Sequence, residues 1–172
     1  MNRKTGKPAG GPGGIIIRKH TMDGITVRKS VAGDAPLIAA FQLAMALETE
    51  KLVLDPEVVD QGVRAVYRNP ALGCYYVAEK GGEVIGSLLT TYEWSDWRNG
   101  TVLWIQSVYV PPLYRRQGVY RRLYTRLKEM VAADPGLRGI RLYADRSNES
   151  AHRAYRKLGM TSDHYLTFEW MK

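Results

Sequence analysis

The sequence predicts a single α/β domain built on a mixed sheet, and three observations carry that prediction. Two apolar runs between residues 74 and 92 are joined by Lys80-Gly81-Gly82, which is a hairpin signature. Further on, a strand, an amphipathic helix and a second strand follow one another with a crossover-length connection, which pairs strands in parallel. Finally, 172 residues with 45% hydrophobic content suffice for one sizeable core and are too few for two ordinary domains.

Ile25 to Lys29 alternates apolar and polar side chains and reads as the first strand, which the Ala32-Gly33-Asp34 turn ends. Leu37, Ala40, Phe41, Ala44 and Leu47 recur at helical spacing, with Pro36 in the first turn, where a missing N–H costs nothing. This helix runs out near Glu48-Thr49-Glu50. Asp55 then offers an N-cap and Pro56 the first helical position of a second helix, whose stripe is Val59, Val63, Val66 and Tyr67. Asn69-Pro70 stops it. The hairpin strands are Cys74 to Glu79 and Glu83 to Tyr92.

After a polar break at residues 95–100, Thr101 to Val110 is a fourth strand, and Pro111-Pro112 ends its ladder because neither residue can donate. Gly118 precedes a third helix with Val119, Leu123, Leu127 and Met130 on one face. Ile140 to Ala144 reads as a fifth strand, Ser147 to Leu158 as a fourth helix closed by Gly159, and Leu166 to Trp170 as a last strand. The order is β-α-α-β-β-β-α-β-α-β, with helices expected on both faces.

The net charge of +8 raises the question of a nucleic-acid partner. Arg3, Lys4, Lys7, Arg18 and Lys19 account for +5 of it within the first twenty residues. Residues 1–23 are rich in Gly, Pro and basic side chains and read as a disordered tail, leaving residues 24–172 as the folded domain. The charge therefore speaks for a solvated extension over a nucleic-acid arm. With no apolar run of eighteen residues and no secretory pattern, the expectation is a cytoplasmic protein without a membrane partner. Cys74, the single cysteine, sits in an apolar strand and reads as core; no metal site is expected.

The sharpest local signal runs from Val108-Tyr109-Val110 through Pro111-Pro112-Leu113-Tyr114-Arg115-Arg116-Gln117 to Gly118-Val119-Tyr120. A strand stops, a basic loop turns at glycine, and a helix begins. The unpaired amides and positive dipole of a first helical turn suit a phosphate there. Arg115 and Arg116 read either as guanidinium charge beside that anion or as a solvated surface pair.

This stretch resembles the acetyl-CoA signature of the GNAT superfamily of N-acetyltransferases, Gln/Arg-x-x-Gly-x-Gly/Ala, which Arg115 and Gly118 match at the first and fourth positions. Asn148, Ala151, Tyr155, Gly159 and Met160 are similar to a second segment of that family, Asn-x-x-Ala-x-x-x-Tyr-x-x-x-Gly-Phe. The resemblance implies a GNAT-like fold, with acetyl-CoA as acetyl donor. It implies that the fourth strand splays from the fifth and offers the backbone of Val108, Tyr109 and Val110 to the pantetheine. By the same resemblance the amides of Arg116, Gln117, Gly118, Val119 and Tyr120 would take the pyrophosphate, and Asn148 and Tyr155 would line the thioester. Tyr120 departs from the pattern, because the family prefers glycine or alanine there. Its bulk must point away for the backbone to approach a phosphate.

Acyl transfer to an amine needs a neutral nitrogen, a stabilised oxyanion and a proton for the departing thiolate. Tyr155 can supply the proton, or can serve as one more residue of the apolar stripe it shares with Ala151, Ala154 and Leu158. The amide of Val108 or Tyr109 is a candidate oxyanion donor. Gln106 and Ser107 stand where many relatives carry a carboxylate base. Glu48, Glu50, Glu93 and Asp96, near Trp94, Trp97 and Trp104, would suit a cationic amine acceptor, and solvated surface charge explains the same residues. A non-catalytic acyl-CoA-binding regulatory module is the competing reading. The resemblance also makes the chain short at its C-terminus, where relatives often have two strands, so a homodimer completing the sheet is a further expectation.

Overall fold

The computed structural model describes residues 24–163 and 166–171, so the expected basic tail of residues 1–23 lies outside the described residues. Five strands form one sheet in chain order: β1 (Ile25–Lys29), β2 (Cys74–Lys80), β3 (Glu83–Ser95), β4 (Gly100–Tyr109) and β5 (Leu137–Leu142). Neighbours are antiparallel from β1 to β4, and β5 joins β4 in parallel. The helices are α1 (Ala35–Thr49), α2 (Pro56–Arg68), α3 (Val119–Ala133) and α4 (Glu149–Lys157). The sheet is mixed because the hairpin strands return directly, whereas β5 is reached through α3.

Helices cover both faces, and β2 shows why the core divides as it does. Tyr75 and Val77 point to one face and pack with Ala35, Ile38, Ala39 and Val63 of α1 and α2. Cys74, Tyr76 and Ala78 point to the other and pack with Leu88, Leu103 and Ile105 of the sheet and Val119, Leu123 and Leu127 of α3. A strand buried on both faces has no polar alternation to show, and Cys74–Ala78 is buried without interruption. Cys74 is a core thiol, as its setting predicts.

The local signals act as expected at the helix ends. Asp55 accepts from the amides of Glu57 at 2.8 Å and Val58 at 3.4 Å, capping α2. Gly86 on β3 lets α3 approach: a β-carbon there would lie 3.0 Å from a methyl of Val119 and 3.1 Å from the Tyr109 carbonyl. The start of α3 is thereby seated against the end of β4.

One expected element is corrected. Leu166–Trp170 is not a strand, and Leu166, Phe168, Trp170 and Met171 are exposed to 68, 91, 87 and 83%. The alternation is present, but a strand exists only as a partner in a ladder, and the segment pairs with none of the described strands.

Candidate functional site

The site begins with a fault in the sheet. Leu89 pairs with Ser107 and Thr90 with Ile105, so Gln106 is the extra residue of a β-bulge in β4. Pairing between β4 and β5 stops at the same level, with Ile105 opposite Leu142. Beyond it Ser107, Val108 and Tyr109 pair only with β3, which leaves their other edge open between two diverging strands. Ser107 Oγ is buried there without a hydrogen-bond partner.

The loop after β4 carries the second half of the geometry. Arg116 and Gly118 both have left-handed backbone, with φ of 63° and 81°. Gly118 is the N-cap of α3, which has no side-chain cap and no acid in its first turn. By contrast Asp55 caps α2, and Asn148 caps α4 by accepting from the Ala151 amide at 3.0 Å. Arg115, Arg116, Arg121 and Arg122 flank Gly118 in the sequence and make the neighbourhood of the positive end of α3 basic, Arg115 being paired with Glu48. A β-carbon on Gly118 would meet no backbone, its nearest neighbour being the tip of Arg121 at 3.4 Å. An uncapped first turn preceded by left-handed backbone at Arg116 and Gly118 fits a diphosphate. The open edge of β4 fits an extended amide-bearing arm.

Tyr120 resolves the departure noted in the sequence. Its ring packs on the core beside Tyr124, at 6.1 Å, and edge-on to Tyr155, at 5.5 Å. The side chain therefore occupies the core instead of the loop. Its hydroxyl is buried without a partner, and burial, ahead of the neighbouring Tyr155, pushes its pKa far up. Tyr155 is itself partly buried, and burial raises its pKa above the ordinary phenol value. Both phenols are protonated across the neutral range.

The acidic residues are not a free cluster. Glu48, at the end of α1, makes a two-pronged ion pair with Arg115 at 2.5 and 2.7 Å. That guanidinium also donates from Nε to the Val110 carbonyl at 2.9 Å and lies 5.7 Å over the Tyr109 ring, which Phe41 of α1 flanks on its own side at 5.5 Å. Arg115 holds the Glu48 carboxyl below the usual carboxylate range. On β3, Glu93 accepts from the Trp104 indole and is ion-paired with Arg141 of β5. Asp96 accepts from the Trp97 amide in the turn after β3, and Glu50 is the C-cap of α1. Arg115 and Glu48, read separately in the sequence as a cofactor residue and an acceptor residue, are bound to each other.

The sequence reading missed Arg141 and Tyr143. Tyr143 donates to Gln106 Oε1 at 3.2 Å, and Gln106 donates to Thr91 Oγ1 at 2.9 Å, tying the bulge to both neighbouring strands. The ring of Tyr143 stands 6.2 Å from that of Trp104. The available signal was alternation: Ile140 and Leu142 face the core, which puts Arg141 and Tyr143 together on the opposite face.

Among the described residues no group of three or more His, Cys, Asp or Glu side chains is arranged to hold a metal, and no helix is long and apolar enough to cross a membrane.

Comparison with known proteins agrees with this geometry. The family model described as acetyltransferase (GNAT) family matches residues 39–160. A thialysine N-epsilon-acetyltransferase of Sus scrofa is 29% identical over 148 residues, spanning 80% of this chain and 85% of that protein. The same-named protein of Bos taurus is 29% identical over 145 residues, 78% and 83% of the two chains. A crystal structure of a possible acetyltransferase from Clostridium difficile 630 superposes with a TM-score of 0.81 at 38% identity, covering 86% of this chain and 97% of that one.

Proposed function

Because the chain belongs to the GNAT family of acetyltransferases, we propose that it moves an acetyl group from acetyl-CoA directly to a primary amine within a ternary complex. The observation that carries this reading is the coincidence of the β4 bulge, the open edge of Ser107–Tyr109 and the uncapped start of α3. Bound acetyl-CoA would supply the activated acetyl group and a thiolate leaving group. Its diphosphate would lie against the amides of residues 116–120, and its pantetheine along Val108, Tyr109 and Val110.

The chain's own residues then have distinct tasks. The backbone amide of Val108 or Tyr109 is the oxyanion donor, since it is fixed by the ladder to β3 and needs no reorganisation. Tyr155 holds a phenolic proton and gives it to the departing sulfur; a raised pKa keeps that proton in place at neutral pH. Asn148 positions α4, and hence Tyr155, through its cap. The acceptor nitrogen must arrive neutral. Gln106 cannot take its proton, and Glu93 is engaged by Arg141 and Trp104, so solvent is the proton's destination.

The relatives' name points to the side-chain amine of a lysine analogue as the first acceptor to try. Calorimetry with acetyl-CoA, followed by thiol-release assays over a panel of amines and amino acids, tests the proposal. Binding followed by thiol release dependent on an amine is expected. A folded protein that binds acetyl-CoA but acetylates no amine in the panel would favour the non-catalytic module, and absence of binding would remove both.

A further inference from the structure

The bulge in β4 turns two successive side chains to one face of the sheet. Ser107 pairs with Leu89, which packs on the α1 and α2 side, and directly opposed residues share a face. Thr91, two residues along β3, lies on that face too, and Gln106 reaches it by donating from Nε2 to Thr91 Oγ1 at 2.9 Å. In an unbroken strand Gln106 and Ser107 would point to opposite faces. The extra residue therefore sets a carboxamide beside the point where β4 parts from β5, and both Gln106 and its neighbour Tyr143 stand exposed there.

An exposed glutamine is ordinarily free to turn, and this one is held from both sides. Tyr143, just past β5, donates to Oε1 at 3.2 Å, while Thr91 of β3 takes the bond from Nε2. Fixing a long side chain costs rotamer entropy, and tethers from both sides remove that freedom before any ligand arrives. A carbonyl oxygen has two lone pairs, and Tyr143 takes one of those on Oε1.

We propose that Gln106 orients the acceptor amine: Oε1 accepts an N–H of the attacking nitrogen and turns its lone pair toward the acetyl carbon, and Tyr143 is the positioning residue that fixes the amide. The assignment rests on the acetyl-transfer reading, which puts the acetyl group at the open edge that begins at Ser107. A neutral primary amine carries N–H donors and a single lone pair; an acceptor that holds an N–H leaves the lone pair free to attack, whereas a donor in its place would consume it. As the C–N bond forms and the C–S bond breaks, the proton of Tyr155 goes to sulfur and the surplus proton of the nitrogen goes to water. Gln106 gains and loses no proton. The rings of Tyr143 and Trp104, 6.2 Å apart, give the carbon chain of the amine an apolar wall on the same face.

Steady-state thiol release by the full chain, with lysine and the other amines of the panel as acceptors, tests the assignment, and calorimetry follows acetyl-CoA affinity alongside. Gln106→Ala should lower kcat/KM for the amine about tenfold and leave acetyl-CoA affinity within about threefold. Tyr143→Phe, which keeps the ring, should give a smaller loss in the same parameter. Gln106→Glu should match or exceed wild type at pH 7, because both tethers are hydroxyls able to donate to a carboxylate and that carboxylate is also a base. The charged groups Glu93 and Arg141 on this face are paired with each other. Unchanged amine kinetics in Gln106→Ala, or a Gln106→Glu variant slower than wild type, overturns the assignment and leaves the acetyl-transfer reading standing. A folded wild type that releases no thiol with any amine removes both. Should Gln106→Ala not fold, Gln106→Glu decides alone on the same criterion.

Discussion

In the proposed reading, the donor side and the acceptor side of the site are built from different materials. On the donor side the offered groups are main chain: the open edge of Ser107–Tyr109 and the uncapped turn after Gly118. On the acceptor side the groups are side chains already engaged with one another, Glu48 with Arg115 and Glu93 with Arg141 and Trp104. A backbone site is set by where glycine, proline and a bulge fall, and it admits any chemically equivalent diphosphate arm. A side-chain site is set by pairings over long sequence distance, 67 residues for Glu48 and Arg115 and 48 for Glu93 and Arg141, and it can change without disturbing the sheet.

The largest effect should come from filling the backbone site. Gly118→Trp places a side chain where φ is 81° and the diphosphate would lie. Acetyl-CoA affinity should fall by at least about 100-fold in calorimetry, equivalent to about 3 kcal/mol, with the circular dichroism spectrum retained. Unchanged affinity in a folded variant would move the donor site away from α3. Next in size is Tyr155→Phe, which keeps the ring against Tyr120 and removes the proton. We expect kcat to drop about 10²–10³-fold while acetyl-CoA affinity stays within about threefold. A drop in affinity with kcat intact would make Tyr155 a packing residue.

These contrasts follow what the sequence could and could not show. The helix caps, the hairpin and the loop at Gly118 are local, fixed by residues within a turn of each other, and the structure has them where their patterns lie. The fifth strand begins at Leu137 instead of Ile140, because Arg138 and Gly139 interrupt the apolar run while the ladder still pairs Leu137 with Thr101 and Gly139 with Val102, across a register shift at Arg138. The bulge at Gln106 left no local mark, since it is a property of register between two strands. The acidic residues were legible as types and not as partners. Asn148, read as a lining residue, is engaged first in capping α4, a role that its position three residues before Ala151 already allows. The terminal segment has the alternation of a strand and pairs with none of the described strands.

A smaller effect separates two roles for Glu48. If it braces the loop through Arg115, Glu48→Gln should weaken acetyl-CoA binding about 3- to 5-fold and leave the KM for the amine unchanged. The pair is about 40% exposed on both sides, so its worth is near the upper end of surface ion pairs, about 1 kcal/mol. If Glu48 holds the acceptor's ammonium, the KM for the amine should rise instead. Arg115→Lys sharpens the distinction, because an ammonium cannot make both prongs of the pair together with the bond to the Val110 carbonyl.

The smallest expected effect is one of pH. Glu48 has its carboxyl pKa lowered in the folded chain, first by the hydrogen bonds from Arg115. A depressed folded value contributes stability that is fully present above the unfolded pKa, near 4.5, and is lost as pH falls through the lower folded value. The brace between α1 and the loop should therefore persist from pH 7 down to about pH 5, and acetyl-CoA affinity should show no Glu48-dependent step in that window. Calorimetry at pH 7 and pH 5 on wild type and Glu48→Gln reads this directly: the ratio of their affinities should be the same at both values. A ratio that collapses to one by pH 5 would mean that Arg115 does not hold the carboxylate in solution, and the loop would then owe its shape to the backbone of Arg116 and Gly118 alone.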